Sequence, residues 1–157
     1  MTRTTLNRFL DAMSGEAYKV FDINLRQHFY TMEVLKDSLV RCNLLKLNDE
    51  ELVILSELLE LSEKSIEGKC WEMMILTCGK QGSYVFSGDT RSFLDTPHVK
   101  VVDTVGAGDS FTAAFCAAIL KGKSMVEAHR LAVEVSAFVC GQAGAMPRLP
   151  EKLKGIL

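Results

Sequence analysis

The sequence predicts an α/β fold, a three-layer αβα arrangement in which helices cover both faces of a mainly parallel sheet. Short apolar segments typical of buried strands alternate with helical patterns of ten or more residues. Polar or glycine-containing segments follow several of these strands. Strands joined through helices of that length form βαβ units. The binding crevice of such sheets lies at the carboxyl ends of the strands.

Each element has its own signal in the sequence. Apolar residues at helical spacing predict helices over 2–13, 31–40, 48 to 59 or 61, 108–121 and 124–139. Short apolar runs predict strands over 18–23, 43–47, 73–77, 83–86, 91–94 and 99–102. We expect a single domain over residues 1–157. The segments after Ile23 and at Asn48, Gly79 and Gly106 are expected to meet at one edge of the sheet.

Composition argues against several classes of protein. Lys and Arg total 18 against 20 Asp and Glu, and both signs are scattered, which gives no electrostatic case for nucleic acid or an anionic membrane. No apolar run approaches the ~20 residues of a membrane span, and the first residues do not resemble a signal peptide. Five separated cysteines without a C-x-x-C pair suggest buried thiols in a reducing cytosol. We therefore expect a cytoplasmic protein.

The most informative segment is residues 103–109, Asp-Thr-Val-Gly-Ala-Gly-Asp, directly before an apolar helix. Small residues at Gly106, Ala107 and Gly108 leave backbone N–H groups open at a helix start, where they and the helix dipole stabilise an anion. Asp109 in the first turn would lie beside that anion, as phosphoryl transfer requires. Plain helix capping around a tight glycine turn explains the same residues equally well.

The D-T-x-G-A-G-D pattern and its apolar helix resemble the C-terminal signature of ribokinase-like (PfkB-type) carbohydrate kinases. The resemblance implies a ribokinase-like fold and ATP-dependent phosphorylation of a sugar hydroxyl. It implies that Asp109 is the catalytic base on that hydroxyl. Gly106, Ala107 and Gly108 would form the anion hole for the transferred phosphate.

Asn48 and Glu51 form an N-x-x-E motif at a predicted strand end. A capping box explains the spacing, with Asn48 as N-cap and Glu51 three residues later. The motif also resembles the phosphate and magnesium motif of the same family, in which Glu51 would act on Mg²⁺ through water. The two interpretations are compatible.

Thr77, Gly79 and Gly82 form a T-x-G-x-x-G motif after a predicted strand. It resembles the family segment that lets the backbone and the threonine approach the nucleotide phosphates and ribose of ATP. A hairpin turn that needs positive φ at glycine is the alternative.

Asp22, Asn24 and Arg26 end the first predicted strand. If the chain stays extended, period two places the three side chains on one side. The D-x-N-x-R pattern is similar to the fructokinase and ketogluconate-kinase branch, where these groups face the active-site cleft and the substrate. An Asx turn with a surface arginine is the alternative.

Near the C-terminus, Gly144-Ala145-Met146-Pro147 matches the family's closing G-A-x-P. Some relatives bind a monovalent cation such as K⁺ between this loop and the first aspartate of the glycine motif, here Asp103. Arg148 stands where a small polar ligand would be expected.

The resemblance covers residues 2–150 but only the later part of the family pattern. The glycine-glycine sugar-binding segment and the β-lid have no counterpart, so we expect a fold truncated on its N-terminal side, the C-terminal half of a kinase. An unpaired strand edge and uncovered apolar surface would then favour self-association or a partner that covers them.

Three functions compete. The first is a fructokinase-like sugar kinase that uses ATP and Mg²⁺. The second is an inactive fragment that retains nucleotide binding or packs with a partner supplying the missing half. The third, a nicotinamide dehydrogenase, lacks its G-x-G-x-x-G near the first strand, and Phe111 stands where a third glycine should be in the later loop.

Overall fold

The computed structural model describes residues 2–27, 29–59 and 71–154. The chain divides into two compact units, and the boundary lies between Met74 and Ile75. Leu61, one of the two predicted ends of the third helix, and Cys70 lie outside the described residues.

The first unit alternates helices and strands, as the sequence predicts. Its elements are α1 (Thr2–Ala12), β1 (Val20–Asp22), α2 (Met32–Arg41), β2 (Leu44–Asn48), α3 (Asp49–Leu59) and the first residues of β3 (Met73–Thr77). β1 and β2 are parallel, with Asp22 directly opposite Lys46. The backbone N–H of Met73 donates to the carbonyl of Asn43, which places the start of β3 beside β2.

The core of the first unit is built on β2. Leu44, Leu45 and Leu47 are almost fully buried, so both faces of the strand are covered, as is usual for a parallel strand. Leu55 of α3 is equally buried. Thr31 caps α2 by accepting a hydrogen bond from the N–H of Val34, which explains why that helix begins where the sequence predicts.

Helix α1 is attached to α2 through polar side chains. Arg3 pairs with Glu33 at 3.1 Å, Asn7 donates to Asp37 at 3.0 Å, and Asp11 pairs with Arg41. The apolar residues of α1 that set its helical spacing are not buried: Leu6 is 54% exposed and Phe9 is 64% exposed. Charged and polar contacts therefore hold this helix, and its apolar face lies open.

The second unit begins within β3 and contains an antiparallel hairpin. Its elements are the 3₁₀ turn Gly79–Gln81, β4 (Ser83–Ser87), β5 (Thr90–Leu94), α4 (Ala107–Leu120), α5 (Met125–Cys140) and α6 (Glu151–Lys154). β4 lies beside β3 and pairs antiparallel with β5, from Ser83 opposite Leu94 to Ser87 opposite Thr90. The two residues between β4 and β5 are too few for the crossover that parallel strands need. The sheet therefore contains both parallel and antiparallel pairs and is not mainly parallel, in contrast to the prediction from the sequence.

The predicted strand over 99–102 is wrong. These residues form no regular structure, and Val99, Val101 and Val102 are exposed. Valines alternate in this segment as in a strand, but among the described residues the segment pairs with no strand of the sheet. Two backbone bonds to Cys140, from the N–H groups of Val102 and Asp103, fix the end of this segment instead.

Helices α4 and α5 supply most of the core of the second unit. Phe115 and Ala118 of α4 and Ala132 of α5 are fully buried. Ser124 caps α5 in a complete capping box with Glu127. Every helix among the described residues is too short or too polar to cross a bilayer.

Candidate active site

The glycine loop of the second unit turns sharply at Gly106. This residue is the N-cap of α4 and has φ 81°, in the left-handed region. A Cβ at Gly106 would lie 2.7 Å from the carbonyl oxygen of Ala145. Only glycine meets both conditions, because other residues resist this conformation and no side chain would fit. Ala145 thereby fixes how closely the loop approaches the 141–146 segment.

The start of α4 presents open donors and an open carboxylate. Among the residues that the structure describes, the N–H groups of Gly108 and Asp109 have no hydrogen-bond partner. The side chain of Asp109 is exposed and accepts no hydrogen bond from the described residues. First-turn N–H groups together with the positive end of the helix dipole attract anions. The arrangement can therefore place an anionic group beside an accessible carboxylate.

Asp103, six residues before Asp109, is tied into the backbone. Its Oδ1 accepts from the N–H of Val105 at 3.0 Å and its Oδ2 accepts from the N–H of Gly144 at 3.2 Å. These bonds, first that of Val105, hold the pKa of the Asp103 carboxyl below its usual range. Asp103 thus joins the glycine loop to the 141–146 segment.

The T-x-G-x-x-G motif forms a closed turn after β3. Thr77 ends the strand, and the N–H of Cys78 donates to the carbonyl of Gly82 at 2.9 Å. A Cβ at Gly82 would lie 2.5 Å from the carbonyl oxygen of Leu94, so β5 requires glycine here. Nothing approaches within 4 Å of the Cβ position of Gly79, whose carbonyl accepts from Thr96. The turn leaves space beside Gly79.

The N-x-x-E motif of the first unit is a complete capping box. The N–H of Glu51 donates to Asn48 Oδ1 at 2.7 Å, and the N–H of Asn48 donates to Glu51 Oε2 at 2.9 Å. The other oxygen, Glu51 Oε1, accepts from the N–H of Leu25 at 2.9 Å. Glu51 is only 6% exposed. Both oxygens of this carboxylate are therefore engaged by the backbone.

The chain does not stay extended after β1, although the prediction that Asp22, Asn24 and Arg26 share one side depended on an extended chain. β1 ends at Asp22, and Asn24 has φ 46°. Period two thus stops at Asp22, and the three polar side chains do not share one face by strand alternation. Asn24 and Arg26 are exposed. Asp22 is half-buried and its Oδ1 lies 3.0 Å from Lys46 Nζ.

Sequence reasoning missed Lys46 and Ala145. Lys46 is buried at 7% exposure within an apolar strand, and it pairs with Asp22 from the neighbouring strand. A single lysine in an otherwise apolar strand was the available signal, since buried charges need partners. Ala145 lies in the recognised G-A-x-P motif, but its contact with Gly106 is tertiary and leaves no sequence signal.

The structure brings the candidate residues together in two sets, one in each unit. In the second unit, residues 103–109 meet the 141–146 segment. In the first, the segment after β1 meets Lys46 and Glu51. The expected meeting of all four segments at one edge stays a prediction.

The side-chain donor atoms of the described residues limit how a metal ion could bind. Among the described residues, no group of three or more His, Cys, Asp or Glu side chains could hold a metal ion. Both oxygens of Glu51 already accept a backbone N–H. Each oxygen retains a second lone pair, which could accept a hydrogen bond from a water of hydrated Mg²⁺, in line with that ion's tendency to keep its waters.

Comparison with known proteins gives consistent relatives. The model of the pfkB family of carbohydrate kinases matches residues 3–152. The crystal structure of an uncharacterized sugar kinase, PH1459 from Pyrococcus horikoshii, in complex with ATP superposes with a TM-score of 0.81 at 26% identity. The superposition covers 99% of this chain and 55% of the Pyrococcus protein. The crystal structure of the Methanocaldococcus jannaschii nucleoside kinase, an archaeal member of the ribokinase family, superposes with a TM-score of 0.81 at 25% identity, over 95% of this chain and 50% of that kinase.

Sequence similarity agrees. The Pyrococcus horikoshii protein is 29% identical over 163 residues, which is 98% of this chain and 51% of that protein. Ribokinase from Arabidopsis thaliana is 35% identical over 83 residues, 52% of this chain and 22% of its own length. The chain spans about half the length of the Pyrococcus protein. The ribokinase-like α/β fold is confirmed, and the chain belongs to the pfkB family of carbohydrate kinases.

Proposed function

We propose that this chain carries the phosphoryl-transfer centre of an ATP-dependent kinase that phosphorylates a sugar hydroxyl. The observation that supports it best is the start of α4, where open N–H groups of Gly108 and Asp109 accompany an exposed carboxylate. A phosphoryl group in transfer needs donors for its charged oxygens, and the attacking hydroxyl needs a base.

Each residue of the loop has a distinct part in this proposal. Asp109 orients the sugar hydroxyl and accepts its proton as the hydroxyl oxygen attacks the γ-phosphorus of ATP, while the bond from that phosphorus to the β–γ bridging oxygen breaks and ADP leaves. Of the predicted anion hole, the N–H of Gly108 is open to the phosphoryl oxygens, whereas the N–H of Ala107 already donates to the carbonyl of Thr104 at 3.3 Å, and Gly106 permits the turn that aims the loop. Asp103 holds this turn in place through Val105 and Gly144.

The nucleotide and its metal are assigned by motif. ATP supplies the phosphoryl group, and Mg²⁺ neutralises its charge. Thr77, Gly79 and Gly82 are assigned to the nucleotide, in support of which the space beside Gly79 is open. Asn48 and Glu51 are assigned to Mg²⁺ and phosphate, with Glu51 acting through water. A K⁺ site at Asp103 would compete with the two N–H groups that its oxygens already accept.

The substrate is proposed to be a small sugar. Asn24 and Arg26 are exposed and are candidates for contact with it, and Asp22, which is half-buried and pairs with Lys46, is the third candidate. The D-x-N-x-R pattern favours a fructokinase-like substrate. The relatives include a ribokinase and a nucleoside kinase, so nucleosides belong in any test. A cytoplasmic location is proposed because Cys42 and Cys140 are free thiols.

A second function is an inactive chain that binds nucleotide or joins a partner. It is favoured by the exposed apolar residues Leu6, Phe9 and Val20. Light scattering tests the association: oligomers or aggregates are expected, and a monodisperse monomer would contradict it.

ADP formation with a panel of sugars and nucleosides tests the first function. Sugar-dependent turnover that Asp109→Asn abolishes supports it. The matched control is Asp89→Asn, an exposed aspartate in the β4–β5 turn, which should leave turnover unchanged. Nucleotide binding without turnover would support the second function.

A further inference from the structure

Glu51 connects two segments that are 26 residues apart. Its Oε2 completes the capping box at Asn48, while its Oε1 accepts from the N–H of Leu25, in the loop after β1. The capping role explains only one of the two oxygens. The bond to Leu25 is a tertiary contact that a capping box does not require.

The loop that Glu51 holds is conformationally demanding. Asn24 and Gln27 have φ 46° and 49°, both in the left-handed region. Such residues cost free energy and persist only where surrounding contacts fix them. Before this turn, the N–H of Ile23 donates to the carbonyl of Lys46 at 3.1 Å, and Asp22 pairs with Lys46. Directly after Asn24, the bond from Leu25 to Glu51 is the next such contact.

Burial makes that bond strong. Glu51 is only 6% exposed, and its two oxygens accept from the N–H groups of Asn48 and Leu25. Hydrogen bonds to charged groups are stronger than those between neutral groups, and a donor left unpaired away from water is costly. Removing the acceptor at Oε1 would therefore release Leu25 and the turn at Asn24.

We propose that Glu51 is a positioning residue that sets the conformation of the loop at residues 23–27, through Leu25. Glu51 thereby connects the N-x-x-E motif to the D-x-N-x-R segment, and it fixes the loop that presents the exposed Asn24 and Arg26. The structural part stands on the contacts alone. The consequence for substrate binding rests on the proposed function.

Amide hydrogen exchange measured by NMR on the full chain, without nucleotide or Mg²⁺, tests the structural part. Glu51→Ala removes both acceptor oxygens, so the N–H of Leu25 loses its partner. We expect the Leu25 amide to exchange roughly tenfold faster or more relative to Leu45 in β2. Glu50→Ala makes the same chemical change at an exposed neighbour and should leave the Leu25 to Leu45 ratio unchanged.

An unchanged Leu25 to Leu45 ratio in Glu51→Ala overturns the proposal, and a change in Mg²⁺ affinity alone would return Glu51 to a purely metal-linked role. If Glu51→Ala does not fold, Glu51→Asp replaces it, because a carboxylate shorter by one methylene stays within the capping box at Asn48 and falls short of Leu25. Exchange at Leu25 relative to Leu45 is then expected to be faster than in the unmodified chain, and an unchanged ratio contradicts the proposal.

If the chain shows turnover, Glu51→Ala should raise KM for the sugar more than it raises the Mg²⁺ requirement. The reverse order contradicts the link to substrate. Absence of turnover in the unmodified chain contradicts the proposed function only, since the exchange measurement does not depend on it.

Discussion

Asp103 and Asp109 lie on either side of Gly106 and have opposite surroundings. Asp103 accepts backbone hydrogen bonds at both oxygens, and its pKa is lowered by them. Asp109 is exposed and accepts none from the described residues. Two identical side chains in one loop thus divide the work, one maintaining the backbone and one left available to a ligand.

The comparison teaches that a recognised motif can mix structural and chemical residues. Both aspartates belong to D-T-x-G-A-G-D, and only the family resemblance gives them different roles, since the local pattern does not distinguish them. The oxygens of Asp103 would have to share or give up backbone hydrogen bonds on meeting a new partner, whereas the exposed carboxylate of Asp109 has none to give up. Substitutions at the two aspartates and at other residues of the second unit separate the two kinds of residue.

The largest expected effect is on turnover at Asp109. Asp109→Asn should lower the rate about 10²–10⁴-fold through loss of the base, while the free energy of unfolding falls by less than about 1 kcal/mol, because only the interaction of the carboxylate with the helix dipole is lost. Enzyme assay and urea unfolding of the same preparations measure both. A larger loss of stability would show that Asp109 also maintains the fold.

Gly106 should be the position between the two aspartates that tolerates change least. Gly106→Ala adds left-handed strain and a contact at 2.7 Å with Ala145, so we expect a loss of about 3–4 kcal/mol in the free energy of unfolding. Gly122 is the matched control, with φ 78° and nothing within 4 Å of a Cβ. Gly122→Ala should cost about 1 kcal/mol from strain alone; equal losses would contradict the contact.

His129 extends the comparison to a buried base. Its two ring nitrogens lie 2.8 Å from the hydroxyls of Ser83 and Ser92. Burial lowers the pKa of His129 to about 4 from the ordinary 6.5. The unfolded chain therefore binds more protons between these values, so stability should fall as pH drops from 6.5 to 4, by at most about 3 kcal/mol, and then level off.

The His129 effect can be isolated with His129→Gln. The stability difference between the unmodified chain and this variant should shrink between pH 7 and pH 4.5 in urea unfolding. A difference that is independent of pH would show that His129 is not held neutral by its burial.

Asp103→Asn should give the smallest of these effects. An amide can still accept one backbone bond, so loss of stability is expected to be less than for Gly106→Ala. Because the folded pKa of Asp103 is lowered, its stabilisation is present above the unfolded pKa and is lost as pH falls through the folded pKa. Thermal unfolding should therefore show a difference at neutral pH that fades in acid; a constant difference contradicts the assignment.

Much of this structure could be predicted from local pattern. β3 is found at the predicted residues, and the capping box at Asn48 and Glu51 is present. The antiparallel β4–β5 pair could have been predicted from its two-residue connection. The bond from Leu25 to Glu51 and the contact of Ala145 with Gly106 could not, because they depend on tertiary placement of distant segments.

Attachment of α1 by Arg3, Asn7 and Asp11 has a consequence for solution conditions. Exposed ion pairs weaken as ionic strength rises, because the Debye length falls to about 3 Å at 1 M salt. Apolar burial in the rest of the first unit strengthens or holds under the same conditions. We expect α1 to be released by salt, and limited proteolysis near residues 13–16 should quicken at 1 M NaCl while cleavage elsewhere does not.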